Sequence, residues 1–296
     1  MRLLILLLTI SISSLSVCAQ TSLEELHSSI SYHSDIVANA ALESSRLKAN
    51  KMLVNDLESF FDQENSFDVD FGEDVWLSVK SPDAKDWRII TWELKKDEAG
   101  SEFYGYIQMN DGSVVLLKDH SDDMDDVEYL SLDASYWYGA LYYNMIEQAD
   151  TDGDKYFILL GYDHHDKFTN RKIADVLTFK DGQPIFGKEI FNGTEEDSTS
   201  VLSRLFIEYG SDANVSLNYN PALGLIVFDH LIGRMGQLPG QGPTYYPDGS
   251  YCGYKPAEDG TWKYVDKLYD QISATAPRPK PVLGKKNKKD LFGKKN

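Results

Sequence analysis

The stretch from Ala149 to Phe168, ADTDGDKYFILLGYDHHDKF, holds the densest set of residues that could bind a cation or move a proton. Asp150, Asp152 and Asp154 alternate around Gly153. Calcium is a hard cation that takes oxygen ligands, and alternating carboxylates in a tight loop can supply several. The pattern departs from a helix–loop–helix calcium loop, since Gly153 stands fourth rather than sixth and Gly161 stands twelfth in place of a Glu. Two readings remain, a short calcium-binding β-loop or a hairpin turn made of Asp and Gly. Calcium is the one cofactor the sequence raises. His164 and His165 follow closely. Neighbours on a strand point to opposite faces, so a shared transition metal needs both in a loop and a further ligand such as Asp229 or His230.

Acid–base chemistry has fewer candidates. LIVFDHL puts Asp229 and His230 at the end of an apolar run, beside a Gly-rich stretch. A His near a carboxylate can act as a general base, but no G-x-S-x-G nucleophile motif accompanies them. Glu208 in FIEYG lies within an apolar strand pattern, and a buried Glu can serve as an acid. These residues outline a hydrolase alternative. Aromatic residues point instead to binding. Tyr136, Trp137, Tyr138, Tyr142 and Tyr143 form one group, and Tyr245, Tyr246, Tyr251, Tyr254 and Trp262 form another, whose Tyr residues are the ligand candidates. Flat apolar faces with a polar edge suit a glycan, a peptide or an envelope polymer. The four Tyr residues, the candidate ligand site, lie within GRMGQLPGQGPTYYPDGSYCGY, which reads as an ordered Gly- and Pro-rich loop. The competing reading is that such aromatics fill cores and cross-strand pairs.

The elements that would position these groups follow from periodicity. Leu23, Leu26, Ile30, Val37 and Ala41, then Leu47, Val54, Leu57 and Phe61, recur at helical spacing without Pro or Gly. Ser22 and Glu25 have capping-box spacing. One long helix or two shorter ones fit equally. From Val69 the period changes to short runs rich in Val, Ile, Trp, Tyr and Phe, separated by turn residues such as Asn110-Asp111-Gly112 and FKDGQPIF. The expected fold class is α+β: an N-terminal helix or helix pair, then a mostly antiparallel β body of about ten to thirteen strands. A sandwich or bent sheet is the first choice of architecture and a propeller the second, with no clear repeat to support it.

The ends suggest a compartment. MRLLILLLTISISSLSVCAQ has Arg2, an apolar run and small residues ahead of Gln20, the layout of a secretory signal peptide at 1–19. A lipoprotein anchored through Cys18 is the alternative, although Val17 is a poor residue before a lipidated Cys. After cleavage only Cys252 remains, so no internal disulfide is available. The divisions read as 20–64 helical, 65–276 antiparallel β, and 277–296 a disordered Lys-rich tail. The net charge is −18, and from Arg278 to Asn296 eight basic residues face a single acid, so the body is more acidic still. Such a body repels phosphates and argues against nucleic acid as a partner. No transmembrane helix is expected in the mature chain.

SPDAKDWRIITWEL, YFILLGYDHHDKFTNRKIADVLTF, RLFIEYGSDANVSLNYNPALGLIVFDHL and YYPDGSYCGY, spanning about Ser81 to Tyr254, resemble successive blocks of a family of exported bacterial proteins with no assigned activity. The resemblance implies a periplasmic or extracellular location and supplies no catalytic residues. The expected function is that of an exported non-catalytic envelope or binding protein. The alternatives are a hydrolase using carboxylates with Asp229 and His230, and a calcium-stabilised structural module.

Overall fold

The computed structural model describes residues 22–97, 100–194 and 197–268. The expected signal peptide, Cys18 and the Lys-rich tail lie outside the described residues. The helical region is a pair, α1 (Leu23–Asn39) and α2 (Glu43–Phe61). Ser22 and Glu25 form the capping box at the start of α1, each side chain bonding the other's backbone N–H. The break at 40–42 leaves helix-end carbonyls without partners, a cost that must be met locally. Arg46 meets it: its Nη1 donates to the carbonyls of Ala40 (2.9 Å) and Ala41 (3.1 Å). The helices then fold back on each other, with Ser29 and His33 both bonding Asp56.

Among the described residues the β body has sixteen strands in three open sheets, and three of those strands are only two residues long. The first sheet is the meander β1 (Ser78–Lys80), β2 (Trp87–Lys95), β3 (Ser101–Met109) and β4 (Val114–Lys118). The second comprises β5 (Leu132–Asp133), β6 (Leu141–Ala149), β7 (Lys155–Asp163), β8 (Thr169–Lys180) and β9 (Gln183–Phe186). Its order is β5-β9-β8-β7-β6. The third takes β10 (Phe191–Asn192) and β11 (Val201–Leu202). The next strand, β12 (Leu205–Gly210), instead pairs with the first half of β8 in the second sheet. The third sheet is completed by β13 (Leu217–Asn220), β14 (Leu225–Met235), β15 (Pro243–Pro256) and β16 (Trp262–Val265). Ladders are antiparallel except the short β10–β16 pairing.

The layers stack in the order helices, first sheet, second sheet, third sheet. Side chains on alternate positions of one strand serve different cores. Along β2, Ile90, Trp92 and Leu94 pack under the helices against Leu53, Leu57 and Phe60, while Trp87 and Ile89 face the second sheet. Along β7, Phe157 and Leu159 meet the first sheet, while Tyr156, Ile158 and Leu160 meet the third. That double burial is why KYFILLGYD reads as a continuous apolar run rather than an alternating one.

The sequence reading needs correction at the Tyr-rich segment as well as in the number of strands, which exceeds the roughly ten to thirteen expected because several are only two to four residues long. The Tyr-rich segment is not a loop: β14 and β15 form a long hairpin, and only 236–242 lie between them. Tyr and Thr favour strands, and the Gly and Pro residues fall where they do not break the ladder. Pro243 begins β15, Pro256 ends it, Pro247 lies opposite Leu231 at the edge of a bulge, and Gly249 takes φ +92° within that bulge opposite His230.

Candidate functional site

Two neighbouring cavities lie on either side of a wall made by β12. The larger, about 690 Å3, is lined by Asp125, Asp126, Glu128 and Tyr129 from the segment between β4 and β5, with Asp197, Arg171, Phe206 and Glu208. The smaller, about 320 Å3, lies between β12 and the third sheet. Its lining is aromatic: Phe206 from β12, Phe228 from β14, Tyr245 and Tyr254 from β15, and Tyr264 from β16. Its polar groups are Thr194, Glu208, Asp229 and His230. Thr194, Leu202, Phe206 and Glu208 border both.

The sequence candidates are placed as follows. Of the four Tyr residues, Tyr245 and Tyr254 line the smaller cavity. Tyr245 is half exposed, whereas Tyr254 is buried, stacked on Phe228, and donates from its hydroxyl to the Gly193 carbonyl at 2.7 Å. Tyr246 points elsewhere and packs on Gly210, where a Cβ would come within 2.9 Å of its ring. Tyr251 does not line the cavity either; it pairs with Asp229 in the ladder. Asp229 and His230 do reach the smaller cavity together with Glu208. Each is held by a structural partner. Asp229 Oδ2 accepts from the Ser216 N–H (2.7 Å) and hydroxyl (2.6 Å). His230 Nδ1 lies 2.9 Å from Asp248 Oδ2 across the bulge. Asp248 is pulled down to about 2, first by the Ser250 N–H and hydroxyl and then by His230. Cys252 is buried, and its Sγ accepts from the Tyr264 hydroxyl at 3.1 Å.

The Asp150–Asp154 segment is the turn between β6 and β7. Asp150 Oδ1 accepts from the N–H groups of Asp152 (3.0 Å) and Asp154 (2.9 Å), while Oδ2 is 2.6 Å from Lys188 Nζ. Both oxygens of Asp150 are thus engaged, one by the turn N–H groups and the other by Lys188. Among the described residues no group of three or more His, Cys, Asp and Glu side chains is arranged to hold a metal. His164 and His165 take separate partners: His164 Nδ1 is 3.2 Å from the Tyr162 hydroxyl and His165 Nδ1 is 3.8 Å from Asp163 Oδ2.

Asp163 is the most perturbed carboxyl near the cavities. Burial pushes it up to about 7, with Asp119 and Glu93 adding to the rise, while the Tyr138 hydrogen bond and Arg171 oppose it. Burial also lowers the pKa of His165, and Arg171 lowers it further. Sequence reasoning missed Arg171, Phe206, Phe228 and Tyr264. The alternation of Phe206 and Glu208 along RLFIEYG was a usable signal for two of the wall residues, but nothing local announces that Arg171 stands opposite Glu208 in the β8–β12 ladder.

Comparison with known proteins adds little. No family model matches the chain, and no curated protein does. Among solved structures, an endo-1,5-alpha-L-arabinanase from Thermotoga petrophila RKU-1 aligns at 10% identity with a TM-score of 0.22, covering 65% of this chain. The aligned part spans 59% of that enzyme's length, and so weak a likeness carries no argument about fold or activity.

Proposed function

We propose that the protein is an exported, non-catalytic binding protein that takes a glycan in the aromatic cavity between β12 and the third sheet. The observation that carries this reading is the lining itself: Phe206, Phe228 and Tyr245 supply aromatic rings, and Glu208, Asp229 and His230 supply polar groups, around the same 320 Å3 space. Sugar rings stack their C–H faces on aromatics while their hydroxyls bond the polar groups around them. Export is supported by Arg2 and the apolar run that follows it, and by the resemblance of the blocks from Ser81 to Tyr254 to an exported family.

A hydrolase is the second reading, because two carboxylates, Glu208 and Asp229, border one cavity. Glycoside hydrolysis needs such a pair. It ranks lower here because both are engaged, Glu208 by Arg171 and Asp229 by Ser216. The test is calorimetry of the chain from Gln20 to Asn296 against a panel of soluble plant and bacterial cell-wall oligosaccharides. Tyr245→Ala removes one half-exposed ring, and a stacking contribution of about 0.5–1.5 kcal/mol corresponds to an affinity loss of about 2- to 13-fold. A bound oligosaccharide whose affinity ignores Tyr245→Ala would overturn this site. Cleavage of that oligosaccharide, lost in Glu208→Gln, would replace binding with hydrolysis.

A further inference from the structure

A hydrogen-bonded path runs from the wall shared by the two cavities into the core. Glu208 Oε2 accepts from Arg171 Nε and lies 2.8 Å from both Nε and Nη2. Arg171 Nη1 donates to the Tyr138 hydroxyl oxygen at 3.0 Å, and that hydroxyl donates to Asp163 Oδ2 at 2.7 Å. The path therefore has an acid at each end and a cation between. Register holds one part of it, since Arg171 stands directly opposite Glu208 and next to Asn170 in the β8–β12 ladder. Packing holds the middle: the Arg171 guanidinium lies over the Phe206 ring at 5.7 Å, and the Tyr138 ring meets Phe206 edge-on at 4.9 Å. Asp163 and Tyr138 are 4% and 2% exposed, so this end of the path meets solvent only over a small area at Asp163. The other titratable groups facing Asp163 are Glu93 from β2, Asp119 just after β4, Tyr162 beside it on β7 and His165 at 3.8 Å.

We propose that Arg171 is the positioning residue of the cavity wall, and that Asp163, acting through Tyr138, makes its hold on Glu208 proton-dependent. With Asp163 ionised, the Tyr138 proton is drawn towards it, the phenol oxygen becomes a stronger acceptor, and Arg171 is fixed from both ends. Chains of hydrogen bonds polarise one another in this way. When Asp163 takes a proton from solvent, the buried anion is lost, and Glu208 becomes the one carboxylate that balances the guanidinium along the path. The environment of the Glu208 carboxylate, which borders both cavities, then changes. This deepens the glycan-binding reading and rests on it for its consequence, a ligand affinity that follows the charge of Asp163.

The test uses the chain from Gln20 to Asn296 and needs no ligand. The Arg171 Nε and the Glu208 and Asp163 carboxyl carbons are followed by NMR from about pH 5 to about pH 9, a range that brackets neutral titrations. All three signals should inflect together in the wild type. Asp163→Asn, whose amide oxygen can still accept from Tyr138, should remove the Arg171 and Glu208 inflections. Tyr138→Phe should leave the Asp163 inflection and remove the Arg171 response. A flat Arg171 signal in the wild type, or one that still inflects in Tyr138→Phe, would overturn the proposal. An oligosaccharide screen with no binder would sink the glycan-binding reading alone, because the NMR response stands apart from it.

Discussion

Asp163 stays at 4% exposure because Tyr138 and Arg171 make its site tolerable, yet burial still raises its pKa to about 7. A carboxyl raised in the folded state holds its proton longer there than in the unfolded chain. Its stabilising contribution is complete below the unfolded value of about 4 and is lost as pH rises through about 7. Urea unfolding at a series of pH values should therefore show wild-type stability falling relative to Asp163→Asn across that window, and parallel curves would refute it. Arg204 and Asp175 pose a different problem. They form an ion pair at 3.0 Å with 0% and 1% side-chain exposure. Asp175 also accepts from the Tyr142 hydroxyl at 3.0 Å, and Arg204 donates to the Val127 carbonyl at 2.5 Å. Removing one partner strands the other charge in the core, so Asp175→Ala should cost about 3–5 kcal/mol in chemical denaturation. A loss below about 1 kcal/mol would show that the pair is far better hydrated than its burial implies.

At the scale of elements, turns are where local chemistry decides most. Asp150 closes the β6–β7 turn through the N–H groups of Asp152 and Asp154 and takes Lys188 on its other oxygen. Thermal unfolding should accordingly give the same Tm in millimolar calcium and in EDTA, while Asp150→Ala lowers Tm in both. A calcium-dependent rise lost in Asp152→Ala would restore the calcium site. The β14–β15 hairpin shows where local reading fails. Its Gly and Pro density suggests a loop, but cross-strand pairing extends as far as Met235 opposite Pro243. Gly and Pro weaken a strand without forbidding it, and the partner strand makes up the difference. The two helices were legible down to their capping box, whereas the choice between one helix and two depended on Arg46 reaching the carbonyls at the break.

At the scale of the whole molecule, three cores lie between four layers, and the second sheet is buried on both faces. Ile158 and Leu159 are neighbours in sequence that serve different cores, and both are 0% exposed. Ile158→Ala and Leu159→Ala should each cost about 2–5 kcal/mol in urea unfolding, and a loss in only one would show that the core around the other relaxes into the cavity. Cys252 belongs to the third sheet and is 1% exposed. Cys252 also lines the smaller cavity; in the chain from Gln20 onward a thiol reagent should label it only after unfolding, and rapid labelling of the native protein would show that the thiol is reached through that cavity or by opening of β15.

The sequence by itself determined what depends on near neighbours. Helix spacing, the Ser22–Glu25 cap, the turns at Asn110–Gly112 and Asp150–Asp154 and the antiparallel β character all follow from backbone preferences over a few residues. Tyr245, Tyr254, Asp229 and His230 were singled out by residue type, and they do border one cavity. The tertiary structure alone decided that Phe206 and Glu208 form its wall, that Arg171 stands behind Glu208, and that Tyr138 links Arg171 to Asp163. Those contacts join β7, β8, β12 and the segment before β6. They depend on ladder register and on which face of a twice-buried sheet each side chain takes, and no short-range pattern encodes either.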